Sequence, residues 1–158
     1  AEEAARAAER TRALLASALE LRAHLEDGAV ILELENVARG HDVPTGIAML
    51  RELGVDAIWI DAHGARSAPE RLLELGDRPM RGDRPVALPT DADHIEHRRL
   101  AAGEIRTLRL IPPPDAVALE LTVVARAIRP DALDALGLAS RAAEVPLHHL
   151  AELRLELP

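Results

Sequence analysis

Residues 1–25 hold neither Gly nor Pro and are rich in Ala, Glu, Arg and Leu. These are strong helix formers. Ala7, Leu14, Ala18, Leu21 and Leu25 fall at helical spacing, which sets an apolar stripe against a charged face. Glu2 and Glu3 suit the positive end of a helix dipole, and His24 and Gly28 mark its finish. The pattern predicts an N-terminal helix over 1–27, followed by a second unit over 28–158. From residue 29 the period drops to two. Val30, Leu32 and Leu34 alternate with Ile31, Glu33 and Glu35, which predicts a strand over 29–37. Residues 36–46 read as a loop, broken by Gly40, Pro44 and Gly46.

The stretch 47–61 supports two readings. Ile47, Met49, Leu50 and Leu53 fit one or two helical turns ended by Gly54, with a strand over 55–60. That reading implies an α/β domain. The other is an extended run with a bend or bulge at Gly54. Asp61-Ala62-His63-Gly64 is a turn by composition. Residues 65–93, rich in Arg, Asp, Pro and Gly, read as a long excursion with one short helix over 69–75. A short strand over 94–100 and a tight turn centred on Gly103 follow. Residues 105–111 alternate until Pro112, Pro113 and Pro114 stop them. The strongest strand is 116–127, with Val117, Leu119, Leu121, Val123 and Ala125 on one face. Pro130, Asp131 as cap and Gly137 frame a short helix over 130–136. Residues 150–157 alternate again, with Leu150, Glu152, Arg154 and Glu156 against Ala151, Leu153, Leu155 and Leu157. Short alternating strands divided by turns predict a mainly-β fold. Its form is an antiparallel immunoglobulin-like β-sandwich, with an N-terminal α-helix and one short helix before the last strand.

Composition narrows the chemistry. A length of 158 residues suits one domain. Apolar residues make up 48%, but Phe and Tyr are absent and Trp59 stands alone, so the core is aliphatic. Having no Cys rules out disulfides, Cys-ligated zinc, iron–sulfur clusters, a thiol nucleophile and the C-x-x-C-H attachment of haem. A net charge of −8 and a single aromatic argue against nucleic acid as a partner. Nothing approaches 18 consecutive apolar residues, so no membrane span is expected. All basic residues other than His are Arg; without Lys there is neither a P-loop nor Schiff-base chemistry. Ser17, Ser67 and Ser140 lie outside any G-x-S-x-G, and G-x-G-x-x-G is absent. No catalytic residue is assigned, and the chain is read as non-enzymatic. It starts without Met and shows no signal peptide, which reads as a processed, excised or truncated product.

The imidazoles are the remaining candidates. His41 lies in Asn36-Val37-Ala38-Arg39-Gly40-His41-Asp42-Val43-Pro44-Thr45-Gly46, where two glycines and a proline define a loop. It can be a structural corner, a metal or haem ligand, or a general base. His94 and His97 would share a helix face but fall on opposite faces of a strand, so a strand gives them no common metal. The adjacent His148 and His149 point apart in an extended chain. Zinc held by His41, His63 and a carboxylate requires convergence that spacing does not supply. Asp91 and Asp93 are carboxylates in a loop, but no D-x-D-x-D-G calcium loop exists. No metal site is assigned.

The run N-x-x-x-G-H-x-x-P-T-G, placed after a helix and a first strand, resembles the haem-free C-terminal β-sandwich region of certain bacterial multihaem c-type cytochromes. The matching positions are Asn36, Gly40, His41, Pro44, Thr45 and Gly46, then Asp61 and Gly64 at the next turn. Farther on, the order of elements is similar: an A-G-E turn at Ala102-Gly103-Glu104, a strong strand, a Pro-led helix ending Leu136-Gly137-Leu138, and a final strand. The likeness spans most of residues 10–158, and only G-H-x-x-P-T-G is specific. It implies a non-catalytic structural and interaction module of a multihaem electron-transfer assembly, packed against haem-bearing segments. His41 becomes a candidate axial ligand to a partner haem, on a loop shaped by Gly40, Pro44, Thr45 and Gly46. No haem attaches covalently here, so haem c would sit on a partner chain or a missing segment. The resemblance also implies a haem-bearing partner segment or subunit, with a homo-oligomer as a further possibility, and a periplasmic or extracellular place. Two other functions stay open: a stand-alone secreted β-sandwich that binds a ligand or metal, and a small α/β enzyme.

Overall fold

The computed structural model describes residues 2–45 and 50–158. Helix α1 spans Glu2–Ala16 and ends where Ser17 Oγ donates to the Leu14 carbonyl (2.8 Å). The expected helix over 1–27 therefore stops early, and Leu19–Glu26 is strand β1. Leu19, Leu21, Ala23 and Leu25 also alternate by two, and pairing with the next strand decides between the periods. Strand β2, Ala29–Asn36, runs antiparallel to β1 across a two-residue turn with Glu26 opposite Ala29. Asp27 (φ 49°) and Gly28 (φ 74°) both adopt positive φ there. That matches the type I′ turn, for which Asp-Gly is a favoured pair.

Strand β3 is Glu52–Asp61, β4 Glu70–Leu75, β5 Arg78–Arg81, β6 Arg84–Pro85, β7 His94–Glu96, β8 Ile105–Leu110, β9 Ala116–Arg126 and β10 His148–Glu156. Ile47 and Met49 lie outside the described residues, but Leu53 and Gly54 are strand, and the helix-then-strand reading gives way. The bulge falls one residue beyond Gly54, where the register with β4 slips between Val55 and Asp56. The short helix expected over 69–75 is β4, because Leu73 and Leu75 pair with Val55 and Leu53. Helix α2 is Pro130–Ala135 and is followed by Gly137 at φ 71°. Its capping position falls on Arg129, two residues before the expected Asp131.

The strands form three antiparallel sheets, ordered β1–β2–β8, β10–β9–β3–β4 and β6–β5–β7. The fold is mainly β, and the α/β alternative does not hold. Val30, Leu32 and Leu34 of the first sheet face Leu53, Val55, Leu119, Leu121 and Val123 of the second, all within one buried cluster. A bulge at Leu150 breaks the expected alternation of β10. It turns Leu150 into the core, on the side of Ala151, Leu153 and Leu155. The outer faces carry ion pairs instead: Arg22 with Glu20, Glu33 and Glu35, and Arg66 and Arg154 with Glu120. Among the described residues, no helix is long and apolar enough to cross a membrane.

Candidate functional site

The loop after β2 hangs on one buried amide. Asn36 is fully buried; its Nδ2 donates to the His41 carbonyl (2.8 Å) and the Leu100 carbonyl (3.0 Å). Its Oδ1 accepts from the Ala38 amide (3.0 Å). The Asn36 backbone pairs with Gly103 and Glu104 of the following turn. Val43 and Leu100 exchange both backbone hydrogen bonds at 2.9 Å. Gly40 takes φ 82°, and the Val43–Pro44 peptide is cis. Asn36, Gly40 and Pro44 all belong to this loop, Thr45 follows on its exposed rim, and Gly46 lies outside the described residues.

His41 is anchored through its carbonyl while its ring is exposed to solvent. Val43 and Pro44 line a cleft with Leu15 and Leu19, at the Leu53 end of β3. His63 sits beyond the opposite end of β3, on the turn where Asp61 Oδ1 accepts from the His63 and Ala65 amides (2.8 Å each). Ten strand residues separate these ends, about 30 Å, so His41 and His63 do not share zinc. Those two amides and that of Gly64 also hold the Asp61 carboxyl below the usual range, the Ala65 amide foremost.

The His41 end of the molecule also carries a group that the sequence reading passed over. Gly76 donates to the Arg98 carbonyl (2.9 Å), which seats Asp77 against residues 97–99. The Asp77 side chain is 1% exposed. Arg99 grips both its oxygens, with Nε 2.9 Å from Oδ1 and Nη2 on Oδ2. His97 Nδ1 lies 3.2 Å from Oδ1. Hydrogen bonding from Arg99, then His97, holds the Asp77 carboxyl below the usual range against the burial that raises it. His97 itself is 71% exposed. The available signal was His97-Arg98-Arg99, a dense basic run that needs a counter-charge. Nothing in the spacing pointed to an acid twenty residues earlier.

The other imidazoles stay apart. His94 pairs with the exposed Asp93, so His94 and His97 serve different carboxylates. His148 lines the cleft beside Leu15, whereas His149 faces Glu152 on the outer sheet surface. Asp91 closes a 3-10 turn, and Asp93 accepts from the Gly82 amide (2.9 Å). Among the described residues, no group of three or more His, Asp or Glu side chains is placed to hold a metal ion.

No family model matches the sequence, and no curated protein matches it. Among solved structures, the chain is similar to a penta-heme cytochrome c552 from Thermochromatium tepidum, with a TM-score of 0.73 and 17% identity. The match covers 92% of this chain and 41% of that one. The two share a fold, and this chain spans less than half the length of the other.

Proposed function

We propose that the chain is a structural and interaction module of a multihaem c-type cytochrome electron-transfer assembly, non-catalytic in itself and placed in the periplasm or outside the cell. The observation that carries this reading is the shared fold over 92% of the chain with a penta-heme cytochrome more than twice as long. The loop residues read from the sequence add to it, since Asn36 gives the N-x-x-x-G-H run a structural reason. With no Cys, the chain cannot attach haem c itself, so its work is to bury surface against haem-bearing segments and fix their position. His41, on a loop braced at both ends, is the candidate that this loop offers as an axial ligand to a partner haem.

The test is visible absorption of the native complex isolated through this chain. A c-type haem spectrum that co-purifies in fixed ratio is the expected result. A colourless, self-sufficient monomer overturns the reading and favours a stand-alone binding sandwich. His41→Ala in the coloured complex tests the loop separately; an unchanged haem spectrum and potential removes His41 as a ligand.

A further inference from the structure

We propose that strand β8 pairs with the β8 of a second copy of this chain, which joins two three-stranded sheets into one. β8 is an edge strand: in the order β1–β2–β8 only β2 lies beside it. The parity of the backbone bonds tells which groups are left over. On the β1 side the Val37 amide donates to the Ala18 carbonyl (2.9 Å), and on the β8 side the Asn36 amide donates to the Glu104 carbonyl (3.0 Å). Both bonds continue the ladder registers, so odd-numbered residues of β2 bond β1 and even-numbered ones bond Arg106, Leu108 and Leu110. The N–H and C=O groups of Ile105, Thr107, Arg109 and, just past the strand, Ile111 therefore point away from β2 to an open edge. Leu108 and Leu110 pack against the core yet stay partly exposed, as residues at an uncovered edge do.

The residues of this edge select the occupant. Two copies related by a two-fold axis pair antiparallel, and free groups must meet free groups, so odd-numbered residues face odd-numbered ones. An axis through Leu108 uses all of them. Ile105 then faces Ile111 of the second copy and Thr107 faces its Arg109, with about eight hydrogen bonds in all. Ile105 is 46% exposed and Ile111 73%, both on the outer face, and this register covers each with the other. On the inner face Leu108 meets its own counterpart and Arg106 meets Leu110. No like charges stand directly opposite, and Glu104 already holds Arg106. The two Arg109 side chains lie diagonally across the axis, where salt screens them. An open edge recruits strands unless something blunts it, and Pro112, Pro113 and Pro114 blunt this one only beyond Ile111. The pairing therefore closes on one partner, and the matched isoleucines favour a second copy over an unrelated strand.

The experiment follows the mass of the purified chain by sedimentation velocity over a concentration series up to about 1 mM. The expected result is a reversible monomer–dimer equilibrium. Thr107→Pro removes an N–H that β2 does not use. It should weaken the dimer about tenfold or more, because the symmetry counts each lost bond twice, and leave the far-ultraviolet dichroism spectrum unchanged. Cross-linking reads the register. The chain has no Cys, so a single introduced thiol can form a disulfide only between copies. Leu108→Cys falls on the axis as a non-hydrogen-bonded pair with Cα atoms about 4.5 Å apart, and should oxidise to a covalent dimer. Ile111→Cys is more exposed but about 20 Å from its own counterpart, and should not. Ile105→Glu and Ile111→Arg should each weaken the dimer, and mixing the two variants should restore it. A chain that stays monomeric throughout, a dimer indifferent to Thr107→Pro, or cross-linking as strong through Ile111→Cys as through Leu108→Cys overturns the proposal. None of these readouts involves haem, so their failure and that of the multihaem assembly are separate.

Discussion

At the scale of single residues, a buried amide controls the loop. Asn36 satisfies two carbonyls and one amide from a site without solvent, so each partner left unpaired costs about 1–3 kcal/mol. Asn36→Ala should lower stability by about 2–4 kcal/mol in urea unfolding. Asn36→Asp should be worse at neutral pH, because it aims a carboxylate at two carbonyl oxygens, and should recover part of the loss in acid. Asp77 gives the opposite pH signature. Its carboxyl is held below the usual value by Arg99 and His97, so it contributes stability above the unfolded pKa and loses it as pH falls through the folded one. The stability gap between the native chain and Asp77→Asn should be full above about pH 5 and shrink steadily below about pH 4. A gap that does not depend on pH would contradict this. Much of the loop was legible from residue types alone, since Gly and Pro have few alternative uses at such positions. The Asp77–His97–Arg99 group was not legible. Its members meet only because the β4–β5 connection is laid beside residues 97–99, and pairing of that kind leaves no periodic trace.

Among the elements, ambiguity arose wherever two periods fitted the same residues. Residues 17–26 satisfy helical spacing and alternation at once, and β2 settles the choice by offering an unpaired edge with a matching apolar face. Asp27-Gly28 is the decisive local signal, whereas His24 and Gly28 taken together suit the end of a helix. The clean alternations were legible outright: β2, β8 and β9 lie within a residue or two of where the sequence puts them. Gly54 shows how one residue serves an element. A Cβ there would lie 2.6 Å from the Leu73 carbonyl oxygen and 2.8 Å from an Arg71 guanidinium nitrogen. The backbone of β4 cannot retreat without unpairing, so Gly54→Ala should cost about 1–3 kcal/mol by thermal or urea denaturation. A neutral outcome would mean that β4 is held less tightly than its register implies.

For the whole molecule, one core is shared by two sheets. Leu32 comes from the first and Leu121 from the second, and both are essentially excluded from solvent. Leu32→Ala and Leu121→Ala should therefore each lower the same unfolding transition by about 2–5 kcal/mol. Two separable transitions by dichroism would show that the sheets fold independently. The sandwich was legible because its layers follow from alternation and turn spacing, whereas the small third sheet was hidden in a segment whose composition reads as loop. The lone Trp59 has a consequence of its own. It is half-buried on β3, six residues along from Leu53, so about 20 Å from the end that holds His41 and His97. Haem accepts energy from excited indole with an efficiency that falls steeply with distance. With no Tyr and no second Trp to blur the signal, the intrinsic fluorescence of this chain is a built-in ruler. Strong quenching on assembly would show that a haem lies within transfer range of Trp59, and unchanged emission would show that none does.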